Sequence, residues 1–280
     1  MLAAALWGTI GIVVKTLISW GFNPISIVLY RIGASFLILF IIIFLCDRTL
    51  LKVKKEHLLY FALYGLISVS IFNIVYINAI DLTTVTTAVI LLYTSPVFVL
   101  FMSFLLFKEK IDFVKFLCVI FTFIGCFLVV KGYNIENLRL NFKGIIFGIL
   151  SGLTYGLYSI FGKVCLKDYR PYTVSLYSLG FGSLFLSLFL ILTRTKVVFV
   201  PGIIPSMVLL YIILFPTLLS YVFYTKGLKL VEAGKASIIA TVEPVISSLL
   251  AVFVLGENLE FIQILGVLMV LTAVVLIQRK

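Results

Sequence analysis

The sequence predicts an all-α integral membrane protein with ten transmembrane helices, arranged as two inverted five-helix repeats. Three observations lead to this prediction: the composition, a repeat at a fixed offset of 148 residues, and a loop charge that changes sides between the two copies. Of the 280 residues, 63% are hydrophobic and 12% are charged, with a mean hydropathy of +1.26. Soluble domains are closer to half apolar and a quarter charged, so this composition is typical of a protein embedded in a bilayer.

Ten apolar runs account for most of the chain, and each is close to the roughly 20 residues that cross the hydrocarbon core. No soluble domain is left over. The first run lacks a basic leader and contains Lys15, which predicts a retained span rather than a signal peptide. Its copy begins earlier in register, which predicts that a few residues are missing before it. The runs, numbered here as spans 1–10, cover approximately residues 2–20, 25–45, 58–80, 84–106, 113–130, 143–166, 173–192, 206–226, 234–255 and 261–277.

Residues that lie 148 positions apart match along the whole chain without a gap. This repeat predicts two equal domains, residues 1–132 and 149–280, joined by the connecting segment 133–148. The repeated glutamates are predicted to end spans 4 and 9 at the interface. The most informative matches pair Gly8 with Gly156, Lys15 with Lys163, Tyr76 with Tyr224, Pro96 with Pro244, and Glu109 with Glu257.

The loop charges predict that the two copies cross the membrane in opposite directions. Loops 2–3 and 4–5 are rich in Lys and Arg, whereas their copies, loops 7–8 and 9–10, carry only Arg194 and Lys196. Conversely, loops 1–2 and 3–4 carry neither residue type, and their copies are basic. The positive-inside rule then predicts that both termini are cytoplasmic, in a multi-pass protein of the cytoplasmic (inner) membrane.

The net charge of +11 comes mainly from these short loops, where orientation and anionic headgroups explain it. A nucleic-acid partner is therefore not expected. The four cysteines fall in or beside spans without paired spacing, so neither a metal nor a cofactor is predicted. The sequence predicts no oligomeric state.

Two prolines, Pro96 in span 4 and Pro244 in span 9, lie at equivalent places. Each removes one backbone hydrogen bond and frees the carbonyl four residues earlier, here that of Leu92 or Ala240. An orphan carbonyl is costly in lipid, so the pattern predicts two breaks that expose polar backbone to a shared cavity at mid-depth. A packing kink without a role in transport is the alternative. Pro216 in span 8 has no counterpart and is predicted to be only a kink.

Glu243 is the one acidic residue that lies well inside a predicted span. Such acids usually face a polar interior, and three uses are open: a proton carrier, a binder of an ammonium group, or one partner of a buried ion pair. For that pair, Lys163 on span 6 is the predicted cation. Lys15 and Arg31, near the outer ends of spans 1 and 2, either snorkel to headgroups or contact a substrate.

Polar and aromatic side chains recur at helical spacing, with Thr217, Tyr221 and Tyr224 at i, i+4 and i+7. They predict a cavity wall suited to an organic solute of mixed character, with helix packing or an interfacial aromatic belt as the alternative. Glycines at every fourth position of span 6, residues 144 to 156, predict close helix packing. The cavity candidates are Trp7, Asn73, Tyr76, Tyr93, Pro96, Tyr155, Tyr158, Thr217, Tyr221, Tyr224, Thr241, Glu243 and Pro244.

Taken together, the chain resembles a ten-helix permease of the drug/metabolite transporter superfamily, of the EamA type. The resemblance implies a basket of helices around a central cavity lined by spans 1, 3, 4, 6, 8 and 9, with spans 5 and 10 outside. The second half departs from the pattern, since Leu179 stands at the counterpart of Arg31, so a symmetric anion clamp is not expected. The residues that carry the resemblance are Leu6-Trp7-Gly8, Lys15, Pro24, Arg31, Tyr76, Ala79, the segments Pro96 to Glu109 and Pro244 to Glu257, and Gly266.

The resemblance also implies export or exchange of small organic metabolites, such as amino acids, amines or related solutes, by alternating access. Proton coupling is left open. A passive channel, a lipid-linked solute flippase and a membrane-embedded enzyme are the alternatives. The sequence contains no paired-carboxylate metal motif and no phosphate-binding glycine loop with Lys, so an enzyme is not expected.

Overall fold

The computed structural model describes residues 1–256 and 258–279, so Glu257, predicted to end span 9, and Lys280 lie outside it. Within these ranges nine helices are long and apolar enough to cross a membrane, and a tenth, of 17 residues, is shorter. This confirms an all-helical membrane protein. The helices, numbered in chain order, are α1 (Leu2–Ser19), α2 (Pro24–Cys46), α3 (Lys55–Leu82), α4 (Val85–Phe107), α5 (Phe113–Val129), α6 (Phe142–Cys165), α7 (Pro171–Leu192), α8 (Ile203–Leu230), α9 (Ala233–Val254) and α10 (Phe261–Gln278).

The predicted proline breaks are present in α4 and α9. The first segments of these helices end at Leu92 and Ala240, the residues whose carbonyls the prolines were expected to free. The second segments begin at Ser95 and Glu243, and both place proline in the first turn, where its missing N–H removes no helical bond. Breaks and segment lengths therefore repeat at the same offset of 148 residues as the sequence.

A π-helical turn interrupts α3 at Leu66–Ile71 and α8 at Leu214–Leu219, again 148 residues apart. Pro216 has no proline counterpart, yet the irregular turn that contains it is repeated, because its counterpart Ser68 lies in the same kind of turn. Proline favours the wide turn in one copy but is not required for it. Wide turns of this kind inside α-helices frequently mark functional sites.

The two copies differ most in α1 and α6. The first helix is interrupted at Thr9, between the segments Leu2–Gly8 and Ile10–Ser19, and the Thr9 hydroxyl donates to the Leu6 carbonyl at 2.8 Å. Its copy α6 runs without interruption through the equivalent Leu157. The difference is therefore one of conformation between two segments of matching sequence.

Equivalent helices α5 and α10 pack against each other and run antiparallel. The Cys118 thiol contacts the Ala273 carbonyl at 3.4 Å, and Gly125 lies so close to Gly266 that a Cβ on either would meet the other's carbonyl. Further along, the Gln263 side chain donates to the Val129 carbonyl at 2.8 Å. As residue numbers rise on one helix they fall on the other.

Contacts between loops divide the connections into two groups at opposite ends of the bundle. At one end loop 2–3 meets loop 6–7, where the His57 ring contacts the Tyr169 hydroxyl at 2.7 Å, and loop 4–5 meets loop 8–9. We call this end the lysine-rich face. At the other end, the opposite face, loop 1–2 meets loop 7–8, where the Asn23 side chain donates to the Lys196 carbonyl at 3.0 Å. Loop 5–6 meets loop 9–10 at the same end.

The glycines of α6 pack where the sequence predicts close approach. A Cβ on Gly156 would lie 3.2 Å from the Ser95 carbonyl oxygen of α4. The equivalent contact joins α1 to α9, where a Cβ on Gly8 would lie 2.8 Å from the Glu243 carbonyl oxygen. Each half therefore packs its first helix onto the broken helix of the other half, and the two breaks come to lie beside the centre of the bundle.

Candidate functional site

Five aromatic side chains from α1, α6 and α8 meet at the centre of the bundle and are called the aromatic cluster. The centroid of the Trp7 ring lies 5.2 Å from that of Tyr224. It lies 6.0 Å from that of Tyr221 and 6.2 Å from that of Tyr155, and these last two pairs are edge to face. The Tyr224 hydroxyl is hydrogen-bonded to the Ser159 hydroxyl at 2.6 Å, which fixes its ring. Edge-to-face packing leaves ring faces available to an organic solute. The members are Trp7, Tyr155, Tyr158, Tyr221 and Tyr224.

A guanidinium and a carboxylate lie next to this cluster. Arg31 on α2 is 8% exposed, and it donates a hydrogen bond to the Asn73 side-chain oxygen on α3 at 2.9 Å. Asn73 in turn donates to the Val69 carbonyl at 2.7 Å, which holds its oxygen towards Arg31. The guanidinium interacts electrostatically with Glu243 and with the Tyr221 hydroxyl. Arg31 therefore does not snorkel to the headgroups, because a carboxylate and an amide oxygen compensate its charge inside the bundle.

Glu243 is the first residue of the second segment of α9, ten residues after that helix begins. Ten residues correspond to about 15 Å of helix, which places the carboxylate near mid-depth. The side chain is half-buried, and besides Arg31 it interacts with the hydroxyl of Tyr155. A carboxylate at the start of a helix segment is also stabilised by the free N–H groups there.

The predicted ion pair between Lys163 and Glu243 is wrong. The Lys163 ammonium donates to the carbonyls of Leu228 at 2.9 Å and Val231 at 2.6 Å, at the end of α8. The last carbonyls of a helix lack helical partners and carry partial negative charge, so they bind an ammonium that lies near the same face. Its counterpart Lys15 is exposed on the outer part of α1.

The remaining aromatic and proline candidates lie on α3, α4 and α9. Tyr76 stacks on Phe72 at 5.8 Å, and both Tyr76 and Tyr93 interact electrostatically with Glu243. Tyr93 is buried among residues of α5, α9 and α10. Pro96 and Pro244 are buried inside the bundle and do not face lipid.

Two threonines predicted to line the cavity use their hydroxyls on their own backbone. Thr217 donates to the Ile212 carbonyl at 2.8 Å within the π-helical turn, and Thr241 donates to the Ile238 carbonyl at 2.6 Å beside the break in α9. Both side chains are buried. They satisfy backbone groups that these irregular turns leave free, so they shape the site without offering a hydroxyl to it.

Two members of the aromatic cluster have hydroxyl groups that are free to form further hydrogen bonds. In the described part of the chain, the buried hydroxyls of Tyr155 and Tyr158 have no hydrogen-bond partner of normal geometry, and the same holds for Tyr64 and Ser68 nearby. Buried polar atoms are nearly always paired, so such groups mark a place where a polar solute or water fits. Tyr64, whose ring lies 4.9 Å from that of Tyr158 in a tilted arrangement, was not among the candidates drawn from the sequence.

The lysine-rich face is closed by contacts between the two halves. The Glu109 carboxylate is buried and accepts hydrogen bonds from the backbone N–H groups of Ala233 at 2.9 Å and Gly234 at 3.3 Å. Next to it, Lys115 forms an ion pair with Glu232 at 2.6 Å. The sequence predicted that Glu109 ends span 4 at the interface, and nothing in it shows that α9 begins beside this residue.

The polar and aromatic centre lies between two sets of matching broken helices, and comparison with known proteins agrees with this arrangement. A family model described as the EamA-like transporter family matches residues 1–131 and 142–279. The chain belongs to the EamA-like transporter family. Its membership confirms the resemblance inferred from the motifs and makes the chain a multi-pass membrane transporter.

Relatives of this transporter extend the match along its whole length. An uncharacterized transporter of Archaeoglobus fulgidus is 30% identical over 281 residues, which cover 100% of this chain and 95% of the relative. An uncharacterized inner membrane transporter of Salmonella typhimurium, YicL, is 25% identical and covers 99% of this chain and 93% of its own. A solved crystal structure with 14% sequence identity superposes with a TM-score of 0.84 over 98% of this chain and 93% of that chain, which shows a shared fold.

Proposed function

We propose that this chain is a secondary transporter that carries small zwitterionic or amine metabolites, amino acids above all, through the central site by alternating access. The single observation that carries the proposal is the presence of the buried Arg31 and the half-buried Glu243 beside the aromatic cluster. A guanidinium binds a carboxylate and a carboxylate binds an ammonium, so the pair offers one partner to each end of an amino acid. The rings then accommodate an apolar side chain.

The proposal includes two inverted repeats, residues 1–132 and 149–280, with 133–148 as the connection. Supporting it, the equivalent helices α5 and α10 run antiparallel, and the equivalent loops 2–3 and 7–8 take part in contacts at opposite ends of the bundle. Inverted repeats let one half adopt the conformation of the other, which exchanges the open and closed faces. The positive-inside rule makes the lysine-rich face cytoplasmic, with both termini on that side of the inner membrane.

We further propose that Glu243 couples transport to protons. Its carboxylate lies at mid-depth, and a proton taken up there changes its interaction with Arg31 and with an amine substrate. Glu243→Gln keeps the shape of the side chain and removes the charge. We expect a proton gradient to accelerate substrate movement in the wild type and not in this variant. Unchanged proton-driven uptake in Glu243→Gln would remove the residue from the coupling role.

The function is tested by counterflow in proteoliposomes with radiolabelled leucine, phenylalanine and putrescine as probes. We expect uptake of at least one probe to saturate and to be accelerated by the same unlabelled compound inside. Arg31→Leu and Glu243→Gln are expected to reduce it at least about 30-fold, because each removes a charged group that binds one end of the substrate. Glu136→Gln, at an exposed position on the opposite face, is the matched control.

Three other outcomes would each replace the proposal. Flux that neither saturates nor responds to compound on the far side indicates a passive channel. Movement of a labelled lipid-linked solute, in the absence of movement of the free probes, indicates a flippase. Chemical conversion of a probe indicates an enzyme.

A further inference from the structure

Lys15 and Lys163 occupy equivalent positions in the two copies, yet their surroundings differ. The Lys163 ammonium holds two carbonyls at the end of α8, those of Leu228 and Val231. Lys15 lies exposed on the outer segment of α1. Within the described residues no hydrogen bond joins Lys15 to the end of α3, so the counterpart of the Lys163 contact is not made in this conformation.

The helices that pack around the two lysines also differ. At the lysine-rich face α6 lies against α8, so closely that a Cβ on Gly162 would be 2.9 Å from a methyl group of Leu228. The outer segment of α1 packs instead with α2 and the first part of α8, in a cluster that includes Leu17, Ile27 and Leu209. The helix against which α6 packs is α8, and the counterpart of α8 is α3. The outer segment of α1 makes its main apolar contacts with α2 and α8 and not with α3.

We propose that Lys15 closes the opposite face, by donating to the carbonyls of Ile80 and Thr83 when the lysine-rich face opens. These two residues are the counterparts of Leu228 and Val231, and they lie at the end of α3, which ends at Leu82. Carbonyls in the last turn lack helical partners and attract a cation. The inference rests on the proposed alternation and assigns Lys15 a positioning role within it.

The two lysines then act as alternating latches, one at each face. In the conformation of this structure Lys163 is engaged, and the lysine-rich face is also held by Glu109 and by the Lys115–Glu232 ion pair. Opening that face separates α6 from α8, and the same movement in the first copy brings the outer segment of α1 to α3. The interruption of α1 at Thr9, absent from α6, is the place where this segment bends.

Each latch is a hydrogen-bonded contact of a charged group, so its loss shifts the balance between the two faces. Such contacts correspond to roughly tenfold in an equilibrium constant. Lys163→Met is expected to favour the closed opposite face about tenfold, and Lys15→Met to disfavour it by a similar factor. Lys15→Arg keeps the charge and the reach, and is expected to restore most of the wild-type balance.

The test is a cysteine pair at the opposite face, Val14→Cys with Ile80→Cys, in a protein whose exposed Cys46 is replaced by serine. Val14 and Ile80 are the counterparts of Gly162 and Leu228, which are in contact, so a disulfide between them requires the closed opposite face. The rate of disulfide formation under mild oxidation is measured in lipid nanodiscs. We expect Lys163→Met to raise this rate about tenfold and Lys15→Met to lower it about tenfold.

Lys143→Met is the matched control, since Lys143 is an exposed lysine at the other end of α6, and it is expected to leave the rate unchanged. A rate that is the same with and without Lys15, or a pair that never forms a disulfide, would overturn the proposal and indicate a lysine that only reaches the headgroups. The readout needs no substrate. If the disulfide rates follow the expected order while no probe shows counterflow, the transport proposal is wrong and the latch stands. If counterflow is present and Lys15→Met changes neither readout, only the latch is wrong.

Discussion

The two faces of the bundle are made from equivalent segments, yet different contacts hold them. At the lysine-rich face the buried Glu109 and the Lys115–Glu232 ion pair join the two halves. Within the second half, Lys163 holds α6 to the end of α8. At the opposite face the equivalent lysine is exposed, and the contacts are between neighbouring loops. Sequence repetition therefore specifies the helices and their breaks, whereas the closure of a face depends on contacts that only one copy makes in this conformation.

The polar centre shows the same division between what is repeated and what is not. The breaks in α4 and α9 and the π-helical turns of α3 and α8 occur in both copies. The charges occur once, because Ser95 is the counterpart of Glu243 and Leu179 that of Arg31. Symmetric breaks suit a movement that both halves share, and an asymmetric pair suits a substrate that carries two different ends.

The largest effect is expected from making the polar centre symmetric with Arg31→Leu. The variant leaves the half-buried Glu243 carboxylate without the positive charge of Arg31, and it leaves the Asn73 side-chain oxygen without its donor. We expect a lower unfolding temperature and loss of probe transport. Adding Glu243→Gln removes the unpaired charge and is expected to recover much of the stability but none of the transport. A double variant that regains transport would show that the pair serves only the fold.

The next effect concerns equivalent glycines with different clearances. Gly8→Ala would bring a Cβ to 2.8 Å from the Glu243 carbonyl oxygen, whereas Gly156→Ala meets Val99 at 3.0 Å and the Ser95 carbonyl oxygen at 3.2 Å. Overpacking of this kind costs about 1–3 kcal/mol. We expect Gly8→Ala to lower the unfolding temperature more than Gly156→Ala does. Gly227→Ala is the control, because nothing lies within 4 Å of its Cβ, and equal shifts for all three would contradict the packing described.

A smaller effect is expected when the lysine-rich face loses the charge of Glu109. Its carboxylate accepts from two N–H groups at the start of α9, and removal of such a cap costs about 1 kcal/mol. Glu109→Gln should therefore open this face more often. Buried Cys165, near the end of α6, reports the opening through its reactivity towards a thiol reagent, expected to rise about fivefold. A reactivity as low as in Glu136→Gln would mean that Glu109 does not hold the face closed.

The smallest effect is expected at the opposite face, where Glu260 is exposed. Hydrogen bonds from Tyr133 and from Lys131, together with the lysine charge, lower the pKa of Glu260, while burial and the bond to Glu260 raise the pKa of Tyr133 to about 12. A lowered pKa means stabilisation that is present above the ordinary carboxyl value and is lost as the pH falls through the folded-state pKa. The small stability difference between wild type and Glu260→Gln should disappear on acidification. A stability difference that grows at low pH would contradict the lowered pKa of Glu260.

Periodicity and repetition were sufficient to predict the helices, the breaks at Leu92 and Ala240, and the central position of Glu243. The hydropathy pattern and the effect of a proline are local properties of the chain, so they can be recognised in the sequence. The interaction of Glu243 with Arg31 was not predictable, because Arg31 lies on another helix and no local feature of the sequence shows which way a side chain turns. The acceptors of Lys163 were not predictable either, because they are backbone carbonyls. Every residue has one, and the sequence does not show which of them lie close to the ammonium.

The central claim, that equivalent ends of the two halves open and close in opposition, is tested most directly by two distances. Spin labels at Lys167 and Lys229 report the lysine-rich face, and labels at their counterparts Ser19 and Asp81 report the opposite face; all four positions are exposed. Both distances are measured by double electron–electron resonance with and without Lys163→Met. We expect the distance in the variant to be longer at the lysine-rich face and shorter at the opposite face. Distances that change in the same direction at both faces, or at neither, would contradict it.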